Sequence, residues 1–257
     1  MLSKLMSIFR QLIENLTTTE KCNCLNHPKL QPLDGKIIVL DPGHGLYRKS
    51  TNGNGPLVYQ RPEVEGIRED LITIKMAKYL AAELEALDAG VMTTRGYTTN
   101  EGSLIYLQNQ GSLKDIKPSG TSNKNKDVNV RWQYANKIHG IMNIDLFLSI
   151  HFNAGGGHGC ETFYYKGNEE TKKIAEAVQA ATIKANKGLR DRGVKETKSY
   201  AVVKKTKCPA ILWEGAFFDN EGDRETFLKD EDFYKRTAKA IAQSLISVIG
   251  NKNNAQV

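Results

Sequence analysis

The sequence predicts an α/β fold: a mostly parallel, twisted sheet of about six strands with helices on both faces, preceded by an N-terminal amphipathic helix. Two observations carry this prediction. Apolar strand-like runs alternate along the chain with segments of helical periodicity, the pattern of strands joined by crossover helices. Three of those runs also end alike, each releasing a polar residue: Ile37–Leu40 leads to His44, Leu146–Ile150 to His151, and Ala210–Trp213 to Glu214. In an open parallel sheet the carboxyl ends of neighbouring strands share one edge, where ligands bind.

Residues 2–16 place Leu2, Leu5, Met6, Phe9, Leu12, Ile13 and Leu16 at helical spacing, with Lys4, Arg10 and Glu14 between them. The stretch lacks the continuous apolar core and small-residue cleavage site of a secretory signal, so no secretion signal is expected. Its apolar stripe needs burial against the domain or against the same helix of a second chain, which would make a homodimer. Residues 17–35, with Pro28, Pro32 and Gly35, read as a linker. The expected division is therefore 1–35 as helix and linker, 36–250 as the main domain, and 251–257 as a tail.

The Ile37–Leu40 strand stops at Asp41-Pro42, where proline removes a ladder donor. Residues 46–66, rich in Gly, Asn and Pro, form a long loop. Glu69 opens a helix with Leu71, Ile74, Ala77, Leu80, Leu84 and Leu87 inward, ending near Gly90. A strand over Val91–Arg95 follows, then a polar excursion over 96–126 and a helix over 128–142 that feeds the His151 strand. The remaining elements are strands over 161–165 and 199–203 and helices over 171–186 and 233–248, with a turn at Gly188 and Gly193.

Thirty-six basic against 29 acidic residues give a net charge of +7, which favours contact with an anionic polymer. No basic run interleaves with aromatics and no nucleic-acid motif occurs, so nucleic acid is not expected as a partner. No apolar run reaches the length of a membrane span, so no integral membrane segment is expected. Four cysteines, at 22, 24, 160 and 208, are too few for a disulfide scaffold. Cys22-Asn-Cys24 with His27 does not have the spacing of a structural zinc site, and Cys160 and Cys208 read as core thiols.

His44 and His151 with Glu69 make a two-histidine, one-carboxylate set, a composition that suits catalytic zinc with a fourth position left to water. A hydrolase of that kind needs a second carboxylate outside the metal shell to move protons, and Glu214 is placed for it. The competing reading of Glu69 is compensation of the helix dipole at a first turn. No Gly-x-Ser-x-Gly elbow and no phosphate-loop pattern competes for the site.

The segments Ile38-Val-Leu-Asp-Pro-Gly-His-Gly45, Arg68-Glu-Asp70, Arg131-x-x-x-Ala135-Asn136, Leu148-Ser-Ile-His-Phe-Asn-Ala154, Gly159-x-Glu161-Thr162 and Pro209 to Asn220 resemble the type 3 zinc-dependent N-acetylmuramoyl-L-alanine amidases. The resemblance covers about residues 36–249. It implies hydrolysis of the amide between N-acetylmuramic acid and L-alanine of the peptidoglycan stem. It also implies one Zn2+ per chain on His44, Glu69 and His151, with Glu214 as catalytic base. Glu63 and Glu65 lie near Glu69; Glu69 is preferred because it opens the helix, as in the family pattern. Asn153 and Arg192 are expected to bind substrate. The sequence departs from the family pattern at Leu46, where a second glycine is common, and in the length of the loop that follows.

The resemblance makes peptidoglycan the expected partner, with anionic wall polymers beside it, and places the action on the bacterial cell wall after cytoplasmic synthesis and release or export. A phage endolysin is the favoured setting, ahead of a sporulation enzyme or autolysin. Two other functions compete. A zinc carboxypeptidase would pair His-x-x-Glu with a later His, and Gly45, Leu46 and Tyr47 after His44 break that spacing. A non-catalytic wall-binding module would have no use for Glu214.

Overall fold

The computed structural model describes residues 31–44, 46–48, 57–59, 63–97, 104–106 and 123–251. The helix expected over 2–16 and the Cys22–Cys24 pair lie outside the described residues. In chain order the elements are β1 (Ile37–Pro42), β2 (Leu46–Arg48), β3 (Leu57–Tyr59), α1 (Glu69–Glu85), β4 (Gly90–Thr93), β5 (Arg95–Tyr97), β6 (Leu104–Tyr106) and α2 (Asn123–His139). Then come β7 (Leu146–Asn153), β8 (Cys160–Tyr165), α3 (Glu169–Ala185), β9 (Asp191–Thr197), α4 (Ala201–Lys205), β10 (Ala210–Phe217) and α5 (Glu231–Ile249). A helical turn at Glu221–Asp223 and a π-helical turn at Arg224–Leu228 lead from β10 into α5.

Six strands form one sheet in the order β4-β1-β7-β10-β8-β9. The expected mostly parallel sheet is present: β4, β1, β7 and β10 run parallel, β8 is antiparallel to β10, and β9 follows β8. The three strands that release His44, His151 and Glu214 are therefore adjacent, with β7 between the other two.

Alternation along the pleat divides the core into two layers. Ile38, Leu40, Leu148, Ile150 and Trp213 face α1, α3 and α5, while Val39, Phe147, Ala210 and Leu212 face Tyr134 and Ile138 of α2 and Val202 and Val203 of α4. Each fully buried aliphatic or aromatic side chain in these layers contributes about 1.5–3 kcal/mol. Cys160 and Cys208 are buried free thiols within the layers.

Three local expectations need correction. Residues 199–203 do not form a strand: α4 occupies Ala201–Lys205, and the strand is β9, over Asp191–Thr197. The β-branched pair Val202-Val203 is buried on a helix face, whereas β9 is an edge strand whose charged sequence carries no apolar run. Arg95 does not close β4; it opens β5, which pairs antiparallel with β6. In α1 Ile74, Ala77, Leu80 and Leu84 are buried as expected, joined by Ile72 and Met76, whereas Leu71 is only half-buried.

The packed body also exceeds the expected 36–250 bounds. Leu33 is fully buried in the core, its N–H donates to the Leu87 carbonyl at 3.0 Å, and the Asn251 N–H donates to the Pro32 carbonyl at 3.1 Å.

Candidate active site

β1 ends at Pro42, and the chain turns through Gly43 into His44, whose φ of 57° lies in the left-handed region. Such a conformation is costly for a residue with a Cβ and persists only when its surroundings enforce it. Arg131 of α2 does so, donating from Nη2 to the His44 carbonyl at 2.5 Å and from Nη1 to the Pro42 carbonyl at 2.6 Å. From below, Thr73 Oγ1 donates to the Gly43 carbonyl at 3.0 Å and the Gly43 N–H donates to the Ile150 carbonyl at 2.7 Å.

Arg131 is itself held by Asp41, through Nη1 at 2.8 Å, and Asp41 also accepts from Thr94 at 2.5 Å and Ser149 at 2.7 Å. Burial pushes the Asp41 carboxyl up, but the Arg131 charge and the two hydroxyl donors outweigh it and hold it below the ordinary value. Asp41 thus remains a buried anion that anchors the guanidinium.

His151 leaves β7 beside this turn. A Cβ built on Gly43 would lie 2.2–2.5 Å from the His151 ring, so only glycine leaves room for the imidazole there. Glu69 begins α1, almost fully buried, and its Oε1 accepts from the Phe152 N–H at 3.1 Å. Its Oε2 stands 3.3 Å from His44 Nε2 and its Oε1 3.3 Å from His151 Nδ1. The two imidazoles meet edge to face with centroids 4.9 Å apart. Glu63 and Glu65, by contrast, are exposed around the tight Val64–Ile67 turn.

Glu214 lies on β10, directly in register with His151 on parallel β7 and with Glu161 on antiparallel β8. In-register residues of neighbouring strands share a face, so His151, Glu214 and Glu161 form one row across the sheet. Asn153 extends the row along β7, donating from Nδ2 to Glu161 Oε1 at 2.8 Å. Arg192 of β9 donates from Nε to Glu161 Oε2 at 2.7 Å, and Lys195 Nζ reaches the same oxygen at 2.5 Å. Burial raises the Glu161 carboxyl, yet the Lys195 and Arg192 bonds and charges hold it below the ordinary range. Glu161 appears in the sequence only as part of the Gly159-x-Glu161-Thr162 motif with no role assigned, and Lys195 is not singled out there; an acid inside an otherwise apolar-aromatic strand, Cys-Glu-Thr-Phe-Tyr-Tyr, is the available signal for Glu161.

The His44, Glu69 and His151 donors suit a divalent metal. One ligand atom from each lies within 4.8 Å of the others. Two imidazole nitrogens each 3.3 Å from an oxygen of one buried carboxylate make a donor set that would hold a zinc ion, which would supply Lewis acidity there. Burial drives the His151 imidazole below its ordinary value, toward the neutral form that ligates metals. Burial alone would raise Glu69, but bonds from His151 and His44 and their charge bring it down to about 2, so it is anionic.

The sequence of residues 38–247 matches the model of the N-acetylmuramoyl-L-alanine amidase family. The chain belongs to that family. It is 31% identical over 252 residues to the N-acetylmuramoyl-L-alanine amidase LytC of Bacillus subtilis, an alignment covering 95% of this chain and 41% of LytC. It is 29% identical over 218 residues to the amidase CwlM of Bacillus licheniformis, covering 85% of this chain and 70% of CwlM. Among solved structures, the catalytic domain of the amidase CwlV from Bacillus (Paenibacillus) polymyxa superposes with a TM-score of 0.56 at 24% identity, covering 82% of this chain and 97% of CwlV's. The catalytic domain of the endolysin CD27L, which targets Clostridia difficile, superposes with a TM-score of 0.60 at 18% identity, covering 84% and 99% of the two chains. These two likenesses establish that the amidase-family chain shares their fold. No helix among the described residues is long and apolar enough to cross a membrane.

Proposed function

We propose that this chain is an N-acetylmuramoyl-L-alanine amidase, hydrolysing the amide between the lactyl group of N-acetylmuramic acid and L-alanine of the peptidoglycan stem peptide. The observation that carries the reading is the register of Glu214 with His151, which puts a carboxylate on the strand next to the His44–Glu69–His151 cluster, with the two backbones about 4.8 Å apart, in a chain of this family. His44, Glu69 and His151 would hold one Zn2+ per chain. Zinc supplies Lewis acidity to a carbonyl and makes water more acidic.

The protein's own groups have distinct tasks. The anionic Glu69 and the neutral His151 are fixed by burial and by one another, so they are organised before substrate arrives. Glu214 takes a proton from the attacking water and delivers it to the departing amine of L-alanine. Asn153 and Arg192, both fastened to Glu161, line the path of the substrate beyond Glu214.

The bacterial cell wall is the place of action, as a lytic or remodelling enzyme, and the net charge of +7 suits an anionic wall polymer near the substrate. The same chemistry serves a phage endolysin or an autolysin. Mass spectrometry of muropeptides after digestion tests the reaction. Amidase action frees an L-alanine amine and leaves intact lactyl-muramic acid. Cleavage within the stem peptide would identify a carboxypeptidase, and binding with no cleavage a wall-binding module.

A further inference from the structure

We infer that Arg192 and Lys195 form a subsite that recognises a carboxylate on the stem-peptide residue following L-alanine. The inference rests on the amidase reading above and adds to it a direction for the peptide and a basis for selectivity.

Two cations converge on one acid. Arg192 Nε and Lys195 Nζ both bind Glu161 Oε2, leaving Arg192 Nη1 and Nη2 with no hydrogen bond among the described residues. The guanidinium is not loose: it lies over the Phe217 ring, 4.8 Å from the centroid. The Lys195 side chain is 40% exposed, and that of Arg192 24%. Nearby acids are engaged elsewhere, Glu196 with Lys166 at 2.5 Å, and Asp191 with Gln179 at 2.7 Å and the Gly193 N–H at 2.8 Å. A planar guanidinium with its outer edge open and an ammonium beside it is a fork suited to a carboxylate.

The pleat sets the distance. Lys195 is in register with Phe163, which lies on the same face of β8 as Glu161. Both cationic heads fold back to Glu161, whose backbone is one strand, about 5 Å, from that of Glu214. An extended peptide advances about 3.3–3.6 Å per residue, so the fork reaches a group one to two residues from the scissile amide. Chemistry then fixes the side. The N-acetylated sugars are neutral and the muramoyl carboxyl is consumed in the scissile amide, so carboxylates occur on the peptide. The nearest belongs to the acidic residue after L-alanine. The peptide therefore runs from Glu214 toward β8 and β9, and the glycan lies on the β1 side.

The test uses the full zinc-loaded chain and two soluble substrates in which the γ-carboxyl is capped as its methylamide, as the next stem residue caps it: N-acetylmuramoyl-L-alanyl-D-glutamate γ-methylamide with a free α-carboxylate, and the same compound with the α-carboxylate amidated. The expected result is an acid-over-amide preference of about tenfold in kcat/KM, carried by KM, the worth of one partly screened charge-assisted bond. Arg192→Gln and the more exposed Lys195→Gln should each bring that ratio toward one. A wild-type ratio near one, or variants that slow both substrates equally, would overturn the subsite and leave the pair as a structural clamp. Failure of the wild type to cleave either substrate would instead bring down the amidase reading, and this inference with it.

Discussion

Arg131 binds the main chain of His44 and the side chain of Asp41 with the same guanidinium, through Nη2 at 2.5 Å and Nη1 at 2.8 Å. A buried ion pair thereby becomes the support of a left-handed histidine. Lysine keeps the charge but cannot span both acceptors. Arg131→Lys should weaken zinc binding by about 10–100-fold, the usual effect of losing a group that orients a ligand. Competition against a chelator measures this, and an unchanged zinc affinity would show that His44 holds its position without the clamp.

Gly43→Ala should displace the His151 ring, which the new Cβ would meet at 2.2–2.5 Å. Overpacking of this kind costs about 1–3 kcal/mol in stability. Zinc content should fall well below one per chain while the circular dichroism spectrum stays native, and full zinc occupancy would contradict the packing described.

The two acids Glu69 and Glu214 should separate under mutation. Glu69→Ala should reduce bound zinc, whereas Glu214→Ala should keep it and lose about 10²–10⁴-fold in kcat. Chelation of the wild type should abolish turnover and added zinc should restore it. Near wild-type turnover by zinc-loaded Glu214→Ala would remove that residue from the proposed mechanism.

Asp41 gives an acid-side signature. Its folded value lies below the ordinary 3.8, so its stabilising contribution is complete above about pH 4 and is lost as pH falls through the folded value. Asp41→Asn should lower stability near neutrality by about 3–5 kcal/mol, since Arg131 would remain as an unpaired buried charge. The difference in melting temperature from wild type should shrink as pH falls below about 4. A constant difference down to pH 2 would assign the loss to packing instead.

Shortening the chain tests where the packed body begins. A protein starting at Gln31 keeps Leu33, while one starting at Asp34 loses a fully buried leucine and should be less stable by about 2–5 kcal/mol. Equal melting temperatures would mean that Leu33 contributes nothing to the core.

The legible part of the fold was its centre. β1, β7 and β10 are buried on both faces, so their apolar runs were continuous and the polar residues that follow those runs, His44, His151 and Glu214, stood out. The periphery was not legible for the opposite reason. β9 sits at the edge, carries Asp191, Arg192, Lys195 and Glu196, and so imitates a loop, while Val202-Val203 imitates a strand. Asn153 and Arg192 were recognisable as candidates, but they are 39 residues apart and meet through Glu161 by a pairing of β8 with β9 that no local pattern encodes. Arg131 was visible as part of a motif, and its task depends on an acceptor 87 residues away.

The hydrogen bonds from Asn251 to the Pro32 and Asp34 carbonyls, at 3.1 and 2.9 Å, bring the two ends of the packed body to one corner. That corner precedes β1 and therefore lies at the amino ends of the parallel strands, across the sheet from His44, His151 and Glu214. Polypeptide grafted onto either end would share a single pivot on the far side of the molecule. Such a layout suits a cassette: it can be spliced into a longer chain, or re-cut with its old ends fused by a short bridge, without covering the sheet edge that carries His44, His151 and Glu214.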